Sequence, residues 1–242
     1  MRNIKLTIEY DGTDFCGWQI QVKDRTVQAE VERSLTMLTN APVRLTAAGR
    51  TDSGVHALGQ VANFKTTSTL PLDVIVRGGN SRLPFDVRIV LAEEADENFN
   101  ARYSAKSRLY RYNIAKRQKA IGRQYSWYYW NSLNLEKMNA CCADILGTKD
   151  FQSFCQVKAD VDHYLCNVRH AFWRETEEEL VFEIRANRFL HNMVRILVGT
   201  MVEIGDVTSA SAKMADILAA RNRAAAGATA PAHGLFLMEI EY

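Results

Sequence analysis

Apolar residues along this chain recur with a period of two, then of about 3.6, in an order that occurs twice, and that order limits the chain to few architectures. Ile4 to Tyr10 alternates as a half-buried strand does, and Thr26 is placed to cap a helix carrying Val27, Val31, Leu35 and Leu38 on one face. Val43 to Ala47 and Gln60 to Lys65 read as two more strands, followed by a helix around Leu72 to Arg82 and a strand from Val87 to Glu93. That is β-α-β-β-α-β, the split ferredoxin-like unit. From Ser107 the order returns. A strand to Ala115 alternates Leu109, Arg111 and Asn113 against Tyr110, Tyr112 and Ile114; a helix follows from Leu135 to Leu146, with strands at Val168 to Glu175 and Leu180 to Ala186. Helices at Phe189 to Gly205 and Ala210 to Arg221 and a last strand from Leu235 to Tyr242 complete it. The expectation is an α+β chain of two ferredoxin-like (βαββαβ) halves, 1–100 and 101–242, with mostly antiparallel sheets meeting around a central basic cleft. Nothing rich in proline or serine separates the halves, which favours packed subdomains over beads on a linker.

With 242 residues, 47% of them apolar and 24% charged, the composition is that of a core-forming soluble protein. MRNIKLTIEY lacks a charged segment followed by an apolar one, and no long uncharged apolar run occurs. Neither a signal peptide nor a membrane-spanning helix is expected, which makes the cytoplasm the default location. The five cysteines, Cys16, Cys141, Cys142, Cys155 and Cys166, have no CxxC spacing and are expected to stay reduced. Cys155, His163, Cys166 and His170 lack the knuckle pattern of a structural zinc site, so no metal is expected.

A net charge of +2 does not by itself call for a polyanionic partner. Its distribution is less neutral. Between Ala101 and Leu135 no acidic residue occurs, while Arg102, Lys106, Arg108, Arg111, Lys116, Arg117, Lys119 and Arg123 interleave with tyrosines and tryptophans. Cations for phosphates beside flat rings for bases suit a looped or single-stranded nucleic acid; a solvated basic face beside an aromatic core would look the same. The acidic residues gather at Glu93 to Glu97 and Glu175 to Glu179.

GRTDSGVHALGQ, Gly49 to Gln60, falls in the connection between two strands of the first half. Gly49, Gly54 and Gly59 let the backbone turn sharply there. A lone aspartate in such a loop is usually a turn former. Arg50, two residues before Asp52, offers a second reading, since a carboxylate kept ionised beside a guanidinium is a usable nucleophile or cation stabiliser. His56 is placed equally well for RNA contact or for a hydrogen bond within the loop.

Six stretches, in order and spanning almost the whole chain, carry a resemblance: YDGTDFCGWQ, RTVQAEVE, AAGRTDSGVHALGQVANF, NARYSAKSRLYRYNI, FLHNMVRILVGTMVEIG and APAHGLFLMEIEY. Together they resemble the tRNA pseudouridine synthases of the A family. The resemblance implies that Asp52 is the catalytic aspartate and that Arg50 handles substrate. It implies too that Tyr110 stacks on the target uracil and is a candidate base for its C5 proton, and that Arg195 pairs with the aspartate. It also implies a homodimer acting on tRNA at positions 38 to 40 of the anticodon arm. Arg108 and Arg111, flanking Tyr110, are expected to contact RNA with His56. Two features depart from the family pattern: Asn187-Arg188 precedes FLHNMVR, where a small residue before the phenylalanine is commoner, and Ile20 follows GWQ, where a basic residue is often seen.

The reaction so implied breaks the N1 to C1′ bond of uridine, turns the uracil, joins C5 to C1′ and releases the C5 proton. It needs no redox partner or group donor, so no cofactor is expected. A carboxylate can meet C1′ or attack C6 of the ring, and either route needs the nucleotide swung out of its helix. A non-catalytic RNA binder and an RNA N-glycosylase are the rival readings.

Overall fold

The computed structural model describes residues 1–156, 162–208 and 213–242. They group into two compact units, Met1–Lys106 with Phe236–Tyr242, and Ser107–Leu235. Helices and strands occur in both, so the chain is α+β.

The first unit contains β1 (Arg2–Tyr10), α1 (Val27–Thr39), β2 (Thr46–Ala47), β3 (His56–Thr66), α2 (Leu72–Asn80) and β4 (Val87–Ala95). β1 lies between β3 and β4 and is antiparallel to both, from Arg2↔Thr66 to Tyr10↔Ala57 on one side and Asn3↔Ala95 to Tyr10↔Val87 on the other. β2 is antiparallel to β3 on its remaining edge. Alternation in β1 sends Ile4, Leu6 and Ile8 to full burial, joined in the core by Val27, Val31 and Leu35 of α1. Each such side chain contributes roughly 1.5–3 kcal/mol when buried.

β3 starts at His56, four residues before the Gln60 expected, and two further expectations change here. Thr26 starts α1, but its hydroxyl makes no capping bond. The first amides of the helix are satisfied instead by Gly17 O, which accepts from Val27 N at 3.3 Å, and Trp18 O, which accepts from Gln28 N at 3.0 Å. The strand expected from Val43 shrinks to two residues because helix side chains take its donors: Val43 N donates to Thr36 Oγ1 at 3.0 Å and Leu45 N to Glu32 Oε1 at 2.9 Å.

The second unit contains β5 (Ser107–Ala115), β6 (Trp127–Tyr128), α3 (Leu135–Ile145), β7 (Gly147–Asp150), β8 (Leu165–Glu175), β9 (Glu179–Ala186), α4 (Met193–Gly205) and α5 (Met214–Ala220). β9 lies between β5 and β8 and is antiparallel to both, β7 extends the sheet antiparallel to β8, and β6 runs parallel to β5. Asn134 caps α3 by accepting from Lys137 N at 2.9 Å. α4 is the central helix of this core, with Ile196, Leu197, Val198 and Met201 fully buried. It starts at Met193 and not at Phe189, because Asn192 takes a left-handed backbone with φ 60°. The beginning of the helix expected from Ala210 lies outside the described residues.

The last strand, β10 (Leu235–Glu241), runs parallel to β3 at Phe236↔His56 and Leu237↔Ala57. That pairing, with Ala101 N donating to Asn63 Oδ1 at 2.9 Å and Lys106 N to Glu241 O at 2.8 Å, groups 101–106 and 236–242 with the first unit.

Candidate active site

Asp52 sits in the first unit on the connection from β2 to β3, half-buried, and the loop Asp11–Gln19 holds its backbone on several sides. Trp18 N donates to Thr51 O at 3.1 Å, Gly54 N to Phe15 O at 3.2 Å, and Ser53 Oγ to Phe15 O at 3.1 Å. Val55 N closes a turn onto Asp52 O at 3.2 Å. Of the three glycines expected to turn this stretch, Gly54 alone has a positive φ, 78°, a conformation that side-chain-bearing residues rarely adopt. Beneath the loop Tyr10 and Thr51 share a buried hydroxyl pair at 2.7 Å. Burial pushes the Tyr10 phenol up, so it remains a neutral hydrogen-bonding group.

The same clamp gives Trp18 and the RTVQAEVE stretch a structural place. Trp18 is 2% exposed and tilts against Tyr10 at 6.1 Å, so it supports the loop from inside. Arg25 binds Asp86 through two bonds of 2.7 and 2.8 Å and lies 4.1 Å over the Phe15 ring. Its carbonyl accepts from Cys16 N at 2.9 Å, so RTVQAEVE braces YDGTDFCGWQ.

His56 takes the second of its two readings. It is 2% exposed, its Nδ1 accepts from Gly12 N at 2.9 Å, and its ring stacks on Phe236 at 4.7 Å. A ring so enclosed fastens Gly12 and β10 to the loop and has almost no surface to offer RNA. Arg50, two residues before Asp52, is exposed.

In the second unit β5 separates two tyrosines that strand alternation alone could not tell apart. Tyr112 is fully buried and donates to Pro231 O at 2.8 Å, and burial pushes its phenol up. Tyr110, two residues earlier on the same face, is only half-buried and meets Phe189 edge-on, 5.1 Å between ring centres at 88°. One tyrosine is core and the other presents a ring.

Arg195, in the first turn of α4, has its guanidinium aimed by neighbours. Nε donates to Ala230 O at 2.8 Å and Nη1 to Asn192 Oδ1 at 2.9 Å, while Ala230 N donates back to Arg195 O at 3.1 Å. The segment 228–231 can lie this close because α4 has Gly199 beneath it: a Cβ there would sit 1.8 Å from Ala228 O. β5, α4 and the APAHG stretch therefore converge, Tyr112 and Arg195 holding adjacent carbonyls, Pro231 and Ala230.

The basic run divides. Lys116 pairs with Glu175 at 2.7 Å, Arg117 with Glu178 at 3.0 Å, and Lys119 with Glu178 at 3.1 Å and Glu179 at 2.8 Å. The acidic cluster that looked remote in sequence folds back on these cations, because the turn from β8 to β9 carries it there. Arg108 donates to Asn187 O at 2.7 Å. Strand alternation places Arg111 on the face opposite Tyr110, across from Glu183, so the two arginines do not flank one surface. Among the rings, Trp127, Tyr129 and Trp130 form a ladder with 5.2 Å spacings, and Tyr129 donates to Asp206 at 2.7 Å. Trp130 and Tyr103 face outward, 72% and 78% exposed.

Among the described residues no group of three or more His, Cys, Asp and Glu has metal-holding geometry; His163 is engaged by Leu165 N and lies 3.3 Å from Arg188. No helix among them is long and apolar enough to cross a membrane. What the arrangement supplies is a fixed carboxylate in one unit and, in the other, a half-open ring and an aimed guanidinium.

A family model described as tRNA pseudouridine synthase matches residues 6–104 and 141–242. The tRNA pseudouridine synthase A of Halalkalibacterium halodurans is 46% identical over 239 residues, covering 97% of this chain and 90% of that protein. Those of Exiguobacterium sp. and Bacillus pumilus are 41% and 42% identical and each cover 98% of their own length, with 100% and 99% of this chain. By this match the chain belongs to the tRNA pseudouridine synthase family.

Proposed function

We propose that this protein isomerises uridine to pseudouridine in the anticodon stem-loop of tRNA, with Asp52 as the group that meets the sugar or the ring. The tRNA substrate and the isomerase activity follow from the family. The observation that carries the role of Asp52 is its setting, a half-buried carboxylate on backbone fixed by Phe15, Trp18 and Val55. A charge held still before the reaction stabilises developing positive charge without reorganising, and that is where electrostatic catalysis gains most.

Tyr110 supports the second role. Its half-open ring suits stacking on a flipped uracil, and its hydroxyl is a candidate base for the C5 proton. Arg195 supplies a guanidinium for the aspartate or for the nucleotide. Arg50, exposed two residues before Asp52, handles the phosphodiester backbone. Atoms balance with no added reagent: N1 to C1′ breaks, C5 to C1′ forms, and N1 ends with a proton as C5 loses one. Antiparallel pairing of β4 with β1, β1 with β3 and β3 with β2 supports a ferredoxin-like first half. Family resemblance supports a cytoplasmic homodimer, which sedimentation of the purified protein tests.

Incubation with a tRNA transcript tritiated at uracil C5 tests the activity. The expected result is tritium release with pseudouridine in the product. Free uracil would make the protein a glycosylase, and binding without either product would make it an RNA binder.

A further inference from the structure

Residues 187–192 join β9 to α4 and reach both Tyr110 and Arg195. At the start of this loop Asn187 N donates to Asn167 O at 3.1 Å, Asn167 N donates to Asn187 Oδ1 at 2.8 Å, and Arg108 Nη1 donates to Asn187 O at 2.7 Å. The Asn187 carboxamide is what accepts the second of these, so the loop is anchored at its first residue. Two residues on, Phe189 stands edge-on to Tyr110. Edge-to-face contact satisfies the ring quadrupoles in one relative orientation, so it sets the plane of one ring by the other.

The end of the loop is fixed as firmly. Asn192 sits at φ 60°, which asparagine tolerates better than most residues. Its Oδ1 accepts from Arg195 and its Nδ2 donates to Gln156 Oε1 at 2.6 Å, while Gln156 N donates to His191 O at 3.1 Å. One short loop thus lays a ring against Tyr110 and an amide against Arg195.

We infer that Phe189 and Asn192 are positioning residues, and that the loop 187–192 sets the plane of the Tyr110 ring and the direction of the Arg195 guanidinium together. Arg108 belongs to this brace through its bond to Asn187 O. The inference rests on the reading that Tyr110 and Arg195 face the target uridine. A residue that acts through another changes the rate on bound tRNA and leaves the binding of that tRNA alone.

The test measures kcat and KM for tritium release, together with tRNA Kd, in Phe189→Leu, Phe189→Tyr and Asn192→Gly, with thermal melts to confirm folding. Asn192→Gly keeps the left-handed backbone and removes only the amide. Phe189→Leu and Asn192→Gly are expected to lower kcat on the order of ten-fold, with KM and Kd held within about two-fold, since sub-ångström misplacement near a reacting group is costly. Phe189→Tyr keeps the ring and is expected to keep the rate. If Phe189→Leu does not fold, Phe189→Met removes the ring at similar volume. A raised KM with unchanged kcat would make these residues RNA contacts and overturn the inference. Tyr110→Phe and Arg195→Leu separate the two levels. If they lose turnover while Phe189→Leu and Asn192→Gly keep it, the brace is refuted; if they keep turnover themselves, the reading of the site is what fails.

Discussion

Gly199→Ala sets two opposed effects against each other, and their sizes decide the outcome. In an exposed helix the change gains about 1 kcal/mol, because alanine is the better helix former. Here the new methyl would lie 1.8 Å from Ala228 O, 2.9 Å from its carbonyl carbon and 3.3 Å from Ala230 N. Non-bonded heavy atoms settle at roughly 3.5 Å, so segment 228–230 must retreat from α4 by about 1.7 Å. That retreat pulls on four bonds: Gly227 N to Thr200 Oγ1 at 3.0 Å, Ala228 N to Glu203 Oε1 at 2.7 Å, and the two between Ala230 and Arg195 at 3.1 and 2.8 Å. Crowding of this kind costs about 1–3 kcal/mol and each lost bond about 1 kcal/mol more. With two bonds lost and the helix gain subtracted, the net destabilisation is about 2–4 kcal/mol, a fall in Tm of roughly 5–15 °C. Arg195 also loses the carbonyl that aims it, so kcat on tritiated tRNA is expected to drop on the order of ten-fold or more. Thermal melts and tritium release measure the two effects. A variant that melts higher than the parent and turns over at the parent rate would refute the packing of 228–230 on α4 and the role given to Ala230.

Tyr110→Phe and Tyr112→Phe should differ in kind. Tyr112→Phe strands Pro231 O and costs about 1–3 kcal/mol in denaturant titrations with kcat little changed, while Tyr110→Phe keeps stability and loses turnover; similar effects from both would erase the distinction between core and site. Replacing Lys116, Arg117 and Lys119 together by alanine should leave the salt dependence of tRNA binding unchanged, since glutamates already neutralise these cations. A slope reduced by about two or more would return them to the RNA face. A thiol reagent should titrate Cys16 alone in the folded protein, because burial pushes Cys155 up, Cys141 up to about 11 and Cys142 and Cys166 up to about 12; fast reaction of a second thiol would contradict that burial. Bonds from Asn131, Tyr129 and Thr208 hold Asp206 well below the ordinary carboxylate range. A carboxyl depressed in the fold stabilises it above the unfolded value, near pH 4, and loses that contribution only as pH falls toward the folded value. Asp206→Asn should therefore lower Tm at neutral pH and flatten the loss of stability below about pH 4; an unchanged acid profile would sink this.

The fold was legible wherever one local periodicity decided it. β5 starts and ends where alternation places it, at Ser107 and Ala115, and β1, α1 and α3 differ from expectation by a residue or two at most. It was not legible where a distant partner intervened. Nothing near Thr26 reveals that Gly17 and Trp18 will cap α1, and nothing near Val43 reveals that Thr36 and Glu32 will take its strand's donors. β7, Gly147–Asp150, is mostly polar and gains its strand character from pairing with β8.

For the site, motif and residue type pointed to Asp52, Tyr110 and Arg195, and the structure supplies what surrounds them. The supporting cast was invisible for the same reason as the caps: Tyr10 under Thr51, Phe189 against Tyr110 and Ala230 on Arg195 are separated in sequence by tens of residues. Charge left two readings open, because a run of cations reads as a surface until its counter-ions are found. Glu175 to Glu179 lie more than fifty residues further along the chain and meet Lys116 to Lys119 only through the β8–β9 turn.

The central claim is that the clamp of loop 11–19 presents Asp52 to a uridine and that its carboxylate does the chemistry. Asp52→Asn keeps the shape and the backbone bonds and removes the charge. At saturating tritiated tRNA it is expected to release no tritium while binding that tRNA with the parent Kd; release at the parent rate would contradict the account.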